Sequence, residues 1–229
     1  MNLNEVESDF LRYIITNRFK SGDRIPALGE LSDTMGISVN KLREQMEVAR
    51  SLGIVGVRPR TGIKLEEYDF LPAVRFSLLF ALAMNPDYFQ AFGELRKNVE
   101  ASFWDEAVKL LTKEDKRHLQ ELMRAAWAKL NGAQIQIPHA EHRELHLTIF
   151  KRLENPFVKG ILEAYWEAYE AVELNLFSDY RYLREVWTYH QRIVDCVVEE
   201  KYEEGYNLLI EHTNLLRHRE VEPDALEVA

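Results

Sequence analysis

Apolar positions along this chain keep helical spacing almost throughout, and the exception is a short stretch near residue 60. Val6, Phe10, Leu11 and Ile14 recur every three to four residues, which places them on one face of a first helix. That helix stops before SGDRIP, where Gly22 and Pro26 break it. The spacing predicts a short second helix from about Ala27 to Met35 with Leu28 and Leu31 inward, closed by Gly36 as a C-terminal turn residue. Ser38 can cap a third helix, with Leu42, Met46 and Ala49 on one stripe and Asn40, Arg43, Glu44 and Glu47 on the other. Alternation then replaces the helical period in GIVGVRPRTGIKLEE, where β-branched residues flank Arg58-Pro59-Arg60-Thr61-Gly62. This reads as a two-stranded hairpin with a basic tip.

Beyond LEEYDFLPA, a polar hinge ending at Pro72, no segment reads as a strand. Helices are expected at roughly Val74–Met84, Pro86–Leu111, Lys113–Leu130, Gln136–Leu153, Pro156–Phe177, Tyr180–Glu200 and Tyr202–His218. Thr112 with Asp115 resembles a capping box, Asn131-Gly132 ends a helix, and Asn155-Pro156 pairs a cap with a proline in the first turn. Short connections between long amphipathic helices favour an antiparallel bundle. The expected fold is therefore mainly α: an N-terminal winged helix-turn-helix over residues 1–70, then an antiparallel all-α bundle over residues 71–229.

Charge divides the chain in the same way. Met1 to Lys64 carries ten Lys and Arg against eight Asp and Glu, net +2, and the remainder carries nineteen against thirty, net −11. Within the first part, Lys41, Arg43, Arg50, Arg58, Arg60 and Lys64 face only Glu44 and Glu47, a local surplus that suits a phosphate-facing surface. At 229 residues and 46% apolar the chain can bury a substantial core. A single cysteine, Cys196, excludes an internal disulfide and a thiolate zinc finger and fits a reducing compartment. The longest apolar run, Phe76 to Met84, is too short to span a bilayer, and MNLNEVESDF lacks the features of a secretion signal. A cytoplasmic location without membrane association is expected.

The bundle carries an unusual inward chemistry. His142, His146, Ile149 and Leu153 form one stripe, His190 lies between Trp187 and Val194 on another, and His212 lies between Leu208 and Leu215 on a third. Imidazoles buried without partners are costly, and a shared divalent cation is the economical solution. The alternative for each histidine taken singly is a satisfied core residue. Arg96 on the long helix also needs an anionic partner, either Glu100 one turn on or the carboxylate of a bound small molecule. Trp104, Trp127, Tyr165, Trp166 and Tyr169 either shape a cavity or belong to the core.

GDRIPALGELSDTMGIS, VNKLREQMEVARSLGIV and VRPRTGIKL resemble the N-terminal DNA-binding domain of GntR-type bacterial transcription regulators. FGELRKNVEASF, EHRELHLTIFKRLENPF and YHQRIVDCVVEEKYEEGYNLLIEH resemble the FCD ligand-binding domain of the FadR-like branch of that family. The first resemblance implies that the helix from Ser38 enters a major groove and that the hairpin tip approaches the neighbouring minor groove or backbone. Arg43 is then the candidate for a base edge, beside Ser38 and Asn40 on the same helix. Lys41, Arg58, Arg60 and Thr61 are candidates for phosphate or wing contacts, and Gly62 permits the tight hairpin. Val39 and Gly29 stand where relatives often carry arginines.

The second resemblance implies a divalent metal held by an Asp, a His four residues on, and two His twenty-two residues apart. His146, His190 and His212 match the three histidines, and His142 takes the aspartate's place. An all-imidazole set favours zinc first and nickel second over manganese or magnesium. Arg96 matches an arginine lining the cavity, which implies an organic or sugar acid as effector. The function so implied is a metabolite-responsive regulator, a repressor by the family's usual habit, acting as a homodimer on a double-stranded operator. The competing readings are a metal-dependent hydrolase-like enzyme and a bundle with a purely structural metal. Against the enzyme, HRELH has arginine where the HExxH motif has glutamate.

Overall fold

The computed structural model of the chain describes residues 5–172 and 180–215, with ten helices and three short strands among them. By Cα proximity it divides into two compact units. One comprises residues 1–84 and 155–164, and the other residues 85–154 and 165–229.

In the first unit, α1 (Asp9–Thr16) begins where the Ser8 hydroxyl accepts from Leu11 N and buries Phe10 and Ile14. α2 (Leu28–Met35) ends at Gly36, whose φ of +67° is the left-handed conformation expected of a glycine terminator. α3 (Val39–Ser51) is capped by Ser38, which accepts from Lys41 N at 3.3 Å. Gln45 ties α3 to α1: its Oε1 accepts from Phe10 N at 2.9 Å and its Nε2 donates to Asp9. Leu31, Leu42, Met46 and Ala49 close one core with Phe10, Ile25, Val55 and Ile63.

The hairpin is β2 (Val55–Arg58) and β3 (Gly62–Leu65), paired antiparallel with Arg58 opposite Gly62. The sheet has a third member that the alternation did not disclose: β1 (Arg24–Ile25) pairs with β3 on its other side, in the order β1-β3-β2. Two residues are too few for alternation to be read, yet Ile25 is buried in the core.

α4 (Leu71–Met84) starts three residues before the expected Val74, because Asp69 Oδ1 accepts from Leu71 N and Pro72 occupies the first turn, where its missing N–H costs nothing. The start of α8 (Pro156–Ala171) lies in this unit too. Asn155 caps it, accepting from Phe157 N and Val158 N, and a Cβ on Gly160 would stand 2.8 Å from Leu71 N, so only glycine allows this approach to α4. The expected continuation of α8 to Phe177 lies partly outside the described residues.

The second unit is a bundle of α5 (Tyr88–Leu110), α6 (Lys113–Leu130), α7 (His139–Phe150), the later turns of α8, α9 (Tyr180–Val198) and α10 (Tyr202–Leu215). α9 packs on α6 and α10, α5 on α7 and α10, and α6 on α7. Thr112 and Asp115 form the capping box of α6. α7 begins at His139 rather than Gln136, since Pro138 holds a non-helical ψ of 66° and disfavours helix in the residue before it. Trp104 of α5 donates its indole N–H to Tyr202 O at 2.9 Å and lies over Gly205. No helix among the described residues is long and apolar enough to cross a membrane.

Candidate metal centre and nucleic-acid interface

α7 supplies His142 and His146, α9 supplies His190 and α10 supplies His212. One nitrogen from each lies within 4.8 Å of the others. His190 and His212 have ring centroids 4.3 Å apart, and His142 and His190 4.7 Å. His146, His190 and His212 are at most 1% exposed, and His142 is half-buried. Among the described residues, His142 Nε2, His190 Nδ1 and both nitrogens of His212 are buried without a hydrogen-bond partner. Burial, reinforced by neighbouring imidazoles and the Arg96 cation, pushes all four rings well below the usual histidine range. The same burial favours the neutral ring, the form that donates a lone pair to a metal. His146 Nε2 and His190 Nε2 stand 3.2 Å apart. Two ligands of one tetrahedral zinc ion, with bonds of roughly 2.0–2.1 Å, stand about 3.3 Å apart. The orphaned nitrogens and this spacing fit a borderline divalent ion.

Arg96, on α5, lies against the cluster and is 2% exposed. Its Nη2 is 2.7 Å from His146 Nδ1, and its Nε is 2.9 Å from Glu100 Oε1. The two partners proposed from sequence thus resolve partly: Glu100 is paired with Arg96, and Arg96 also touches the histidines. Burial raises the Glu100 carboxyl above the usual range and outweighs the opposing pull of Arg96. The guanidinium faces the Tyr165 and Trp166 rings at 4.7 and 5.4 Å from their centroids.

Trp166 and Tyr169 also flank His142, at 4.6 and 5.9 Å. Trp104 and Trp127 bond elsewhere, to Tyr202 O and Gln191 Oε1. Two members of this site were named from the sequence only as neighbours, Trp187 on the stripe of His190 and Glu100 as a partner for Arg96, and not as contacts of the histidines. Trp187 packs on His190 at 4.9 Å, and Glu100 Oε1 lies 3.3 Å from His146 Nδ1. The signals available were Glu100's place one turn after Arg96 and Trp187's place three residues before His190.

On the other unit, α3 and the hairpin carry the duplex-facing candidates. Ser38 is engaged as the cap of α3, and Asn40 Oδ1 accepts a long hydrogen bond of 3.4 Å from the exposed Arg43. Lys41 reaches Asp9 at 2.7 Å, and its hydrogen bond with that of Gln45 holds the Asp9 carboxyl below its ordinary value. Arg58, Arg60 and Thr61 are exposed at the hairpin tip, with the Thr61 hydroxyl 3.5 Å from Arg58 O. Arg60 and Gly62 both have positive φ, +69° and +75°. The tip thus presents its guanidiniums from a backbone that a non-glycine residue adopts only under constraint.

Comparison with known proteins separates the same two regions. Residues 3–65 match the model of bacterial regulatory proteins of the gntR family, and residues 92–215 match that of the FCD domain. Two relatives come from Bacillus subtilis strain 168. The chain is 23% identical to the uncharacterized HTH-type transcriptional regulator YcbG, over 94% of this chain and 88% of that one. It is 21% identical to the HTH-type transcriptional regulator LutR, over 85% and 84%. Among solved structures, Streptococcus agalactiae GntR shares the fold at a TM-score of 0.64 and 15% identity, with 94% of this chain and 98% of that chain covered.

Proposed function

The chain belongs to the gntR family of bacterial regulatory proteins, in the branch that carries an FCD domain, and from that premise we propose a metal-dependent sensor of a small organic or sugar acid. It is a transcription regulator; its family and relatives are not enzymes, so the hydrolase reading is dropped. The observation that supports the sensor is the meeting of four imidazoles, one nitrogen from each within 4.8 Å of the others, beside a buried guanidinium. A zinc or nickel ion held by His142, His146, His190 and His212 would supply Lewis acidity toward a carboxylate. Arg96 would hold the other end of that anion with a charge-assisted hydrogen bond.

As a homodimer the protein would read a twofold operator. Arg43 would meet a base edge on each half-site, while Lys41, Arg58, Arg60 and Thr61 would meet the backbone. The acid then acts by its unequal affinity for the operator-bound and operator-free states. Elemental analysis of untagged protein is expected to find zinc or nickel at one ion per chain. Melting with an organic-acid panel is expected to show a shift for one acid class that disappears on chelation, and the same acid should release a retarded operator fragment. A folded protein with no stoichiometric transition metal, or a panel without effect on melting and retardation, defeats the reading.

A further inference from the structure

Arg96, Glu100 and His146 form a buried triangle whose hydrogens can be assigned by elimination. A guanidinium only donates. Its Nη2 is 2.7 Å from His146 Nδ1, so Nδ1 carries the lone pair and the neutral ring holds its proton on Nε2. That atom faces His190 Nε2 at 3.2 Å, a distance at which one nitrogen donates and the other accepts. A protonated Nε2 has no lone pair to give a cation.

Ligation through His146 Nε2 therefore demands the other tautomer. The proton leaves Nε2 for water and another is taken up on Nδ1, so the ring stays neutral and the exchange balances. Nδ1–H and the Arg96 Nη2–H are then two donors facing each other, and a new acceptor is required. Glu100 Oε1 is 3.3 Å from Nδ1. Among the described residues neither Glu100 oxygen has an aligned hydrogen bond, although Arg96 Nε lies 2.9 Å away. At 0% exposure the carboxyl has no contact with bulk solvent.

We propose that Glu100 is a positioning residue that accepts the Nδ1–H of His146 when its Nε2 ligates, and that this exchange frees Arg96 Nη2 to meet a carboxylate. The proposal rests on the metal reading above and adds a coupling to it. A carboxylate behind a ligating imidazole fixes its tautomer and raises its basicity. Metal and acid are linked through one guanidinium, whose partner is an imidazole in one state and a bound anion in the other.

The test compares the full-length protein with Glu100→Gln for zinc affinity, by competition with a chromophoric chelator, with circular dichroism as the check on folding. The substitution is expected to weaken zinc about 10- to 100-fold. Equal affinity in the two proteins overturns the role of Glu100 and leaves the sensor reading intact, whereas a folded wild-type protein that takes up no zinc removes both. Because Glu100→Gln strands a buried cation and risks the fold, the unaltered protein gives a second readout by 15N-histidine NMR. His146 is expected to carry its proton on Nε2 without metal and on Nδ1 with zinc, the latter deshielded and slow to exchange. A zinc form with the proton on Nε2, or with a rapidly exchanging Nδ1 proton, overturns the proposal.

Discussion

His142 stands where the resemblance to the FCD domain implies an aspartate, and its surroundings say what an imidazole there would do. Its Nε2 is buried and unpartnered, and its ring stands between Trp166 and His190, so the side chain is held inside the cluster. Imidazole in place of carboxylate removes a charge and softens the donor set. His142→Asp is accordingly expected to lower the zinc-over-manganese affinity ratio by about tenfold or more, measured by competition titration of the two ions. An unchanged ratio would place His142 outside the ligand set. The i, i+4 placement of His142 and His146 was legible in the sequence because a helix forces it. Periodicity did not disclose the convergence with His190 and His212, because it fixes which face a residue occupies and not which helix it meets; the resemblance to the FCD domain supplied that expectation. The Arg96–His146–Glu100 triangle was less legible still, since it depends on rotamers of residues 46 and 50 positions apart along the chain.

Individual helices were legible where local chemistry decides them, and Asp115 shows how one cap serves two elements. Its carboxylate accepts from Thr112 N and the Thr112 hydroxyl at the start of α6. It also accepts from Lys151 and Arg152 just beyond α7, at 2.5 and 2.9 Å. The capping box could be read from Thr112 and Asp115 alone; the ion pairs could not, because they join elements. Burial alone would raise this carboxyl, but the hydrogen bonds from Arg152, Lys151 and Thr112 outweigh it and hold it well below the usual carboxylate range. Its folded-state value is thus depressed, so its contribution is full above the unfolded value of about 3.9 and is lost as pH falls below it. Asp115→Asn is expected to cost about 1–2 kcal/mol at neutral pH, chiefly from the charge lost in its bonds to Thr112 at the start of α6, since both cations are substantially exposed. The cost should shrink in urea denaturation series taken from pH 5 down to 3; a constant difference would contradict the ionic account. At the contact between α5 and α10, a Cβ on Gly205 would stand 2.9 Å from the Trp104 ring. Gly205→Ala is expected to lower stability by about 1–3 kcal/mol in the same assay, since the indole is also held by its bond to Tyr202 O. β1 and the early start of α4 escaped the sequence for a related reason: a two-residue strand has no period, and Pro72 reads equally as a breaker or as a first-turn residue.

At the scale of the whole molecule, an acidic chain of net charge −9 must bind a polyanion through a small cationic minority. Most of the chain repels a duplex, so attraction has to come from α3 and the hairpin, and its strength should depend steeply on salt. Arg60 is the informative position because it sits exposed at the hairpin tip in left-handed backbone. Arginine already bears the cost of that backbone, as alanine would, whereas asparagine tolerates the left-handed region, so Arg60→Asn removes the charge without adding backbone strain. If each Arg60 of a homodimer meets one phosphate, Arg60→Asn should reduce the slope of log affinity against log salt by about 2, and weaken all duplexes alike. Arg43→Ala should instead cost about 1–3 kcal/mol per half-site on the preferred operator and little on unrelated sequence, since a base contact discriminates and a phosphate contact does not. Both variants should keep the zinc stoichiometry and the acid-induced melting shift of the wild type, because the altered residues belong to the other compact unit. Fluorescence anisotropy at four salt concentrations, on operator and scrambled duplexes, separates these outcomes. A slope unmoved by Arg60→Asn takes the hairpin tip off the phosphates, and equal losses on both duplexes for Arg43→Ala take that guanidinium off the bases.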